Sequence, residues 1–207
     1  MKSLTIDTYN AFAHVYDDET AGFWRDFPTS FIDEFASRVD GDVLNIGCGP
    51  GRDGLLLEER NLKVTHIDAS EAMVKMANEN GLKASLGDML NLQFRAGRFA
   101  GIWSYTTMLH LPKSQIGLAF GEAARVLKPG GWFALGMQEG EGESYKESSE
   151  MHAPRWFALY SREELTALLK EQGFTVHSIT SMKPKSKTYL HILCQKRKIP
   201  YKREIFL

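Results

Sequence analysis

Val43-Leu44-Asn45-Ile46-Gly47-Cys48-Gly49-Pro50-Gly51-Arg52-Asp53-Gly54 is followed, at the end of the next apolar run, by Asp68. A short strand runs into a glycine-rich turn, then a helix, then a second strand that ends in an acid. That order builds a nucleotide pocket. Glycines let the backbone turn sharply and approach a ligand closely, a helix start offers free N–H groups to a carboxylate or phosphate, and an acid after the second strand accepts hydrogen bonds from ribose hydroxyls. An adenosine-containing cofactor is expected.

Two spacings compete for the turn. Gly49, Gly51 and Gly54, with Asp68 downstream, satisfy the dinucleotide pattern and suggest a nicotinamide enzyme. Gly47, Gly49 and Gly51 form the other triplet. In the dinucleotide fingerprint the first glycine hugs the strand end, and here Gly47 holds that place, so register favours the second triplet.

Working outward, 207 residues suit one domain. Hydrophobic content of 43% and charged content of 25% are ordinary for a globular chain, and a net charge of −1 gives no global attraction to nucleic acid or anionic lipid. Two distant cysteines, Cys48 and Cys194, make no disulfide framework and suit a reducing compartment. No apolar run approaches the roughly 20 residues of a membrane helix, and residues 1–7 lack a signal-peptide core, so a cytoplasmic location is expected. Charge is unevenly spread. Glu139, Glu141, Glu143, Glu147 and Glu150 face only Lys146 in their segment, and a basic run extends from Lys183 to Arg203 without a recognisable nucleic-acid module. The six histidines show no zinc spacing, and no metal is expected.

Helix-like and strand-like blocks alternate, as in an α/β domain with a mostly parallel sheet. Phe23, Phe27, Phe31, Phe35 and Val39 recur every four residues on a helical face that Pro28 interrupts, so the firm helix starts near Thr29. Strands are expected over 42–46, 63–67, 83–86, 99–104 and 132–137, and helices over 52–60, 70–80 and 112–127. Ser70 caps its helix, and Ser161-Arg162-Glu163-Glu164 reads as a capping box for a helix that Gly173 stops. Lys128-Pro129-Gly130-Gly131 turns the chain. Residues 174–179 and 188–194 are close enough to pair antiparallel at the sheet edge.

Val43 to Gly51 resembles the first motif of the S-adenosylmethionine-dependent methyltransferases of the seven-stranded, Rossmann-like class. His66-Ile67-Asp68-Ala69-Ser70-Glu71-Ala72-Met73, Gly87-Asp88-Met89, Ser104-Tyr105 with Leu109-His110-Leu111-Pro112, and Arg125-Val126-Leu127-Lys128-Pro129-Gly130-Gly131 are similar to its later motifs, in the same order. The segment from Tyr9 to Asp17 is similar to the piece that covers the cofactor in many members. The resemblance spans nearly the whole chain.

It implies a Rossmann-like three-layer sandwich: a seven-stranded, mostly parallel sheet with an antiparallel strand near one edge. It implies one domain over 1–207, with residues 1–40 a helical cover and 139–155 a mobile loop beside the acceptor site. S-adenosyl-L-methionine would be the donor, S-adenosyl-L-homocysteine the product, and a small molecule the acceptor. Gly47, Cys48, Gly49 and Gly51 would meet the methionine part of the donor, Asp68 the ribose, and Ala69, Met73, Asp88 and Met89 the adenine. Ser104 and Tyr105 would line the site, Arg52 would reach the donor carboxylate, Tyr9 and Tyr16 would form a lid, and His110 would be the base. A nicotinamide oxidoreductase, or a non-catalytic module that senses the donor, are the other assignments. One position departs from the family pattern: Asn45 stands where an Asp or Glu is usual.

Overall fold

The computed structural model describes residues 3–25, 27–148, 150–184 and 186–198; Met1, Lys185 and the end of the basic run, residues 199–207, fall outside them. The helices are α1 (Leu4–Ala11), α2 (Ala13–Arg25), α3 (Thr29–Arg38), α4 (Arg52–Glu58), α5 (Glu71–Glu79), α6 (Lys113–Val126) and α7 (Arg162–Glu171). The strands are β1 (Val43–Ile46), β2 (Val64–Asp68), β3 (Ala84–Leu86), β4 (Phe99–Tyr105), β5 (Leu127–Gln138), β6 (Glu143–Glu147), β7 (Pro154–Ala158), β8 (Phe174–Met182) and β9 (Tyr189–Lys196).

Seven strands form one sheet in the order β3-β2-β1-β4-β5-β9-β8. β1 and β4 are buried along their whole length, as parallel strands covered on both faces must be. β1 to β5 run parallel, and β9 runs antiparallel to both of its neighbours. The expected final hairpin exists, but the last strand sits inside the sheet and β8 takes the edge. Burial explains the order: Leu190 to Cys194 are buried without a break, whereas β8 is mostly half-exposed or exposed.

The sheet separates two apolar layers. Ile102, Phe133 and Ile192 face α6 and α7, where they meet Phe120, Leu165, Leu169 and Phe174. The next residues along, Trp103, Ala134 and Leu193, face Phe31, Ile32 and Phe35 of α3. The phenylalanine repeat is thus the inner stripe of α2 and α3, with Pro28 at the N-cap of α3. Ser70 Oγ accepts from Met73 N, and Ser161 Oγ from Glu164 N, so both caps form, but the Glu164 carboxylate holds Lys113 Nζ at 2.8 Å and only the serine half of the expected capping box is present. Leu127 pairs with Phe99 and Trp132 with Gly101, so the expected turn at residues 128–131 is a bulge within β5.

Residues 139–155, read as a loop, hold a strand. β6 is exposed throughout and pairs antiparallel with β7, outside the main sheet. Thr5 Oγ1 accepts from Trp156 N at 2.9 Å, and Thr8 Oγ1 donates to Pro154 O at 2.7 Å. These bonds lash α1 to β7 above the carboxyl ends of the parallel strands.

Gly136 lies between Tyr105 and His191 in register, and a Cβ there would collide with the Tyr105 ring. Gly136→Ala is expected to cost about 1–3 kcal/mol in urea unfolding. Gly117→Ala, in α6 where nothing nearer than Gln172 Nε2 at 3.8 Å would meet the new methyl, is expected to stabilise by about 0.5–1 kcal/mol.

Candidate functional site

A cleft of about 510 Å³ opens where β1, β2 and β4 end, under α1 and α2. Its floor is the glycine turn. Gly47, Gly49 and Gly51 have φ of 73°, 51° and 99°, which other residues rarely adopt. A side chain on Gly47 would strike Thr107, whose Oγ1 donates to Gly47 O at 3.2 Å. Gly47 N and Cys48 N both donate to Ile67 O, pinning the turn to β2.

Asp68 ends β2 in the cleft wall. Oδ2 accepts from Gly49 N and Oδ1 from Ser70 N, each at 2.9 Å. Each carboxylate oxygen keeps capacity for another donor, so the group can take both hydroxyls of a vicinal diol. Burial pushes its pKa up against those backbone bonds.

Of the expected residues, Gly47, Cys48, Gly49, Asp68, Ala69, Met73, Asp88, Met89 and His110 line the cleft, as do Tyr9, Tyr16 and Tyr105. Asp88 also accepts from Leu90 N at 2.8 Å and so holds its own turn. Gly51 and Ser104 do not line it. Gly51 is the N-cap of α4, turned toward Leu82. Ser104 is fully buried with its Oγ unpartnered, because β4 runs one residue further than expected and the lining begins at Tyr105. Arg52 is in the wall, but its Nε donates to Asp17 Oδ1 at 2.7 Å and it joins α4 to α2.

Residues that the sequence reading passed over also line the cleft. Thr106 and Thr107 leave β4, Thr106 at φ 52°, an uncommon value for a β-branched residue. Trp24, Asp53, Gln115 and Tyr145 complete other walls. The acidic segment is engaged elsewhere: Glu139 pairs with Arg162 at 3.0 Å and Glu143 accepts from Lys113 N at 2.7 Å.

His110 closes a 3-10 turn (Met108–His110). Its Nδ1 lies 2.6 Å from Trp156 O and its Nε2 2.8 Å from Tyr9 Oη. Burial, and the nearby charge of Arg155, bring its pKa down to about 4. It is a neutral imidazole at pH 7, already engaged at both nitrogens.

The methyltransferase-domain family model matches residues 43–131. The 27-O-demethylrifamycin SV methyltransferase of Amycolatopsis mediterranei (strain S699) is 30% identical over 59% of this chain and 49% of that protein. The chain spans about a third to a half of the length of the first curated relatives it matches. Among solved structures, the DhpI–SAH complex superposes with a TM-score of 0.77 at 20% identity, over 95% of this chain and 97% of that one. A SAM-dependent methyltransferase from Methanosarcina mazei gives 0.72 at 20% identity, over 83% and 98%. With its strand order and the methyltransferase-domain match over residues 43–131, the chain has the Rossmann-like fold of these methyltransferase structures.

The departure at Asn45 has a local answer. Asn45 is fully buried, and its Nδ2 lies 3.5 Å from Asp53 Oδ1 and 3.4 Å from His66 Nδ1. Asp53 also accepts from Trp103 Nε1 at 2.8 Å and Gly54 N at 2.8 Å. A buried acid is therefore supplied by α4 rather than β1, and an acid at both positions would place two carboxylates together. Burial raises Asp53 to about 6 despite these donors. Its folded pKa lies above the unfolded value near 3.8, so it favours the folded state most at low pH, and that advantage fades between about pH 4 and 6. Asn45→Asp is expected to cost on the order of 3 kcal/mol at pH 8 and less at pH 5, where the pair can hold a proton. Adding Asp53→Asn should restore at least half of the loss. Urea unfolding of the three variants at both pH values checks this.

Proposed function

We propose that the cleft binds S-adenosyl-L-methionine and that the chain transfers its methyl group to a small-molecule acceptor, leaving S-adenosyl-L-homocysteine. The single observation that carries this reading is Asp68, held by Gly49 N and Ser70 N at the mouth of the glycine turn with acceptor capacity left over. The residues fit such a donor. Asp68 would hold the ribose, Ala69, Met73, Asp88 and Met89 the adenine, and Gly47 to Gly49 the methionine part, all of them residues that line the cleft. A volume of about 510 Å³ falls in the range of about 300–1,000 Å³ usual for small-molecule sites.

When bound, the donor supplies a methyl group on a positively charged sulfur that leaves as a neutral thioether. The chain's own work is alignment and exclusion of water. Holding two reactants in attack geometry can remove about 7–11 kcal/mol of barrier. The roof of α1 and α2 does the enclosing. Asn10 Oδ1 accepts from Ser70 Oγ at 2.7 Å, Arg52 reaches Asp17, and the two threonine bonds to β7 close the other side.

Gly47, not Gly49, directly follows β1, which favours this donor over a nicotinamide dinucleotide. No described helix is long and apolar enough to cross a membrane. Both cysteines are free and buried, which suits the cytoplasm that we assign to the chain.

Asp68→Ala should weaken S-adenosyl-L-homocysteine binding by about 100-fold, since hydrogen bonds to a charged group contribute about 1.5–3 kcal/mol each. Calorimetry reads the loss, and Asp68→Asn, which keeps an acceptor, should fall between. A reduced nicotinamide cofactor that bound in place of the sulfonium compound and its product would end this reading.

A further inference from the structure

Three side chains from three elements converge beside the cleft. Tyr9 comes from α1, His110 from the 3-10 turn after β4, and Arg155 from β7. The direction of each proton can be worked out. Trp156 O can only accept, so His110 Nδ1, 2.6 Å away, carries the hydrogen. In a neutral ring Nε2 is then bare, so Tyr9 Oη, 2.8 Å away, must donate to it. Arg155 cannot accept, so its Nη1 donates to the same Tyr9 oxygen at 3.2 Å. The phenol oxygen thus gives its proton to a base, faces a fixed cation, and keeps a lone pair. Tyr9 and His110 line the cleft; Arg155 stands behind them, against the faces of Tyr9, Tyr16 and Phe157.

Arg155 is 8% exposed, its Nε has no partner, and no carboxylate lies within ion-pair distance among the described residues. A guanidinium buried without a counter-ion is costly. It is worth holding where negative charge develops beside it, as on a phenol oxygen that is passing its proton on.

We propose that Tyr9 is the catalytic residue that takes the proton from the methyl acceptor, with His110 receiving Tyr9's own proton and Arg155 as the positioning cation, and that the acceptor is a hydroxyl compound, an alcohol or phenol. The proposal rests on the methyltransferase reading above. In the step, the acceptor oxygen bonds to the methyl carbon while the carbon–sulfur electron pair stays on sulfur. The acceptor's proton goes to Tyr9 Oη, and the proton of Tyr9 goes to His110 Nε2. The imidazolium formed keeps its Nδ1–H on Trp156 O; burial and Arg155 disfavour it, so it is short-lived and gives one proton on to water. One positive charge disappears at sulfur as one appears on the ring, so the net charge of the site is unchanged by the step.

This arrangement selects among acceptors. A thioether or carboxylate has no proton to give and would leave the relay idle. A neutral amine attacks through a lone pair it already holds and loses its proton only after the transfer, so it does not need the relay. A hydroxyl needs its proton removed as it attacks, and general-base help of this kind is worth about 100- to 10,000-fold in rate.

The test uses the full chain in two measurements. Nitrogen-15 NMR of histidine-labelled protein with S-adenosyl-L-homocysteine should show His110 protonated on Nδ1 and bare on Nε2 at pH 7. Tyr9→Phe should shift the Nε2 resonance and leave product affinity within about threefold. Methyl-labelled S-adenosyl-L-methionine is then offered with a panel of phenols and alcohols beside thioethers, carboxylates and amines. Transfer to hydroxyl compounds is expected, falling about 100-fold or more in Tyr9→Phe at unchanged donor affinity, with a smaller fall and an altered pH profile in Arg155→Met. An Nε2-protonated His110, transfer confined to the other classes, or an unimpaired Tyr9→Phe overturns the proposal. So does donor binding with no transfer to any panel member, which leaves the donor site standing; failure to bind donor and product removes both readings.

Discussion

One carboxylate ties the site together. Asp68 accepts from Gly49 on the turn after β1 and from Ser70 at the start of α5. Ser70 in turn caps α5 and donates to Asn10 on α1. The floor of the cleft, one wall and part of the roof therefore depend on the end of a single strand. Removing this carboxyl group would free two part-buried backbone donors besides the proposed ligand contact, and a buried donor left unsatisfied costs up to about 1–3 kcal/mol. The same bonds that fold the turn point the remaining lone pairs of the acid into the cleft.

What was legible in the sequence was local. The turn at Gly47 to Gly51, the Ser70 and Ser161 caps and the phenylalanine stripe each act through neighbours within a few residues and form where the spacing placed them, although Gly51 shapes the turn without lining the cleft. What was not legible depended on distant partners or on parity. Ser104 was assigned to the site because β4 was expected to end there; the strand continues to Tyr105, and one residue of a strand is a change of face. β6 is Glu-Ser-Tyr-Lys-Glu, exposed throughout, with no apolar alternation to mark it; only its pairing with β7 makes it a strand. The left-handed backbone of Thr106 carries no signal in a β-branched residue.

Asn45 shows how a departure from a family pattern can be misread as a loss. Taken by itself, it removes an acid from beneath the cofactor turn. In the fold, Asp53 brings a carboxylate to within 3.5 Å of the Asn45 amide, anchored by the indole of Trp103 from the neighbouring strand. His66 extends the chain to Glu58 at 3.1 Å, and burial lowers its pKa against the pull of that carboxylate. The position lost one charge, and the site kept one. Spacing alone cannot show this, since Asp53 reads as a helix-start acid whose only evident partner is the dipole.

The roof is held differently from the floor. The sheet and its two layers are closed by large apolar side chains at or near zero exposure. α1 buries only Thr5 and Thr8, and both are engaged in hydrogen bonds to β7. Such bonds contribute only about 0.5–1.5 kcal/mol each, because water replaces them when they part. Burying one leucine-sized side chain contributes about 1.5–3 kcal/mol and has no such replacement. Tyr9 adds packing beside Met73 and Met76, but α1 contributes no fully buried apolar side chain, so it is held less firmly than the strands that are buried throughout. A cleft that must admit two reactants and then exclude water requires that ordering of stabilities. Tyr9 sits on this same helix, so the proposed proton chain to His110 also joins the cover to the turn after β4.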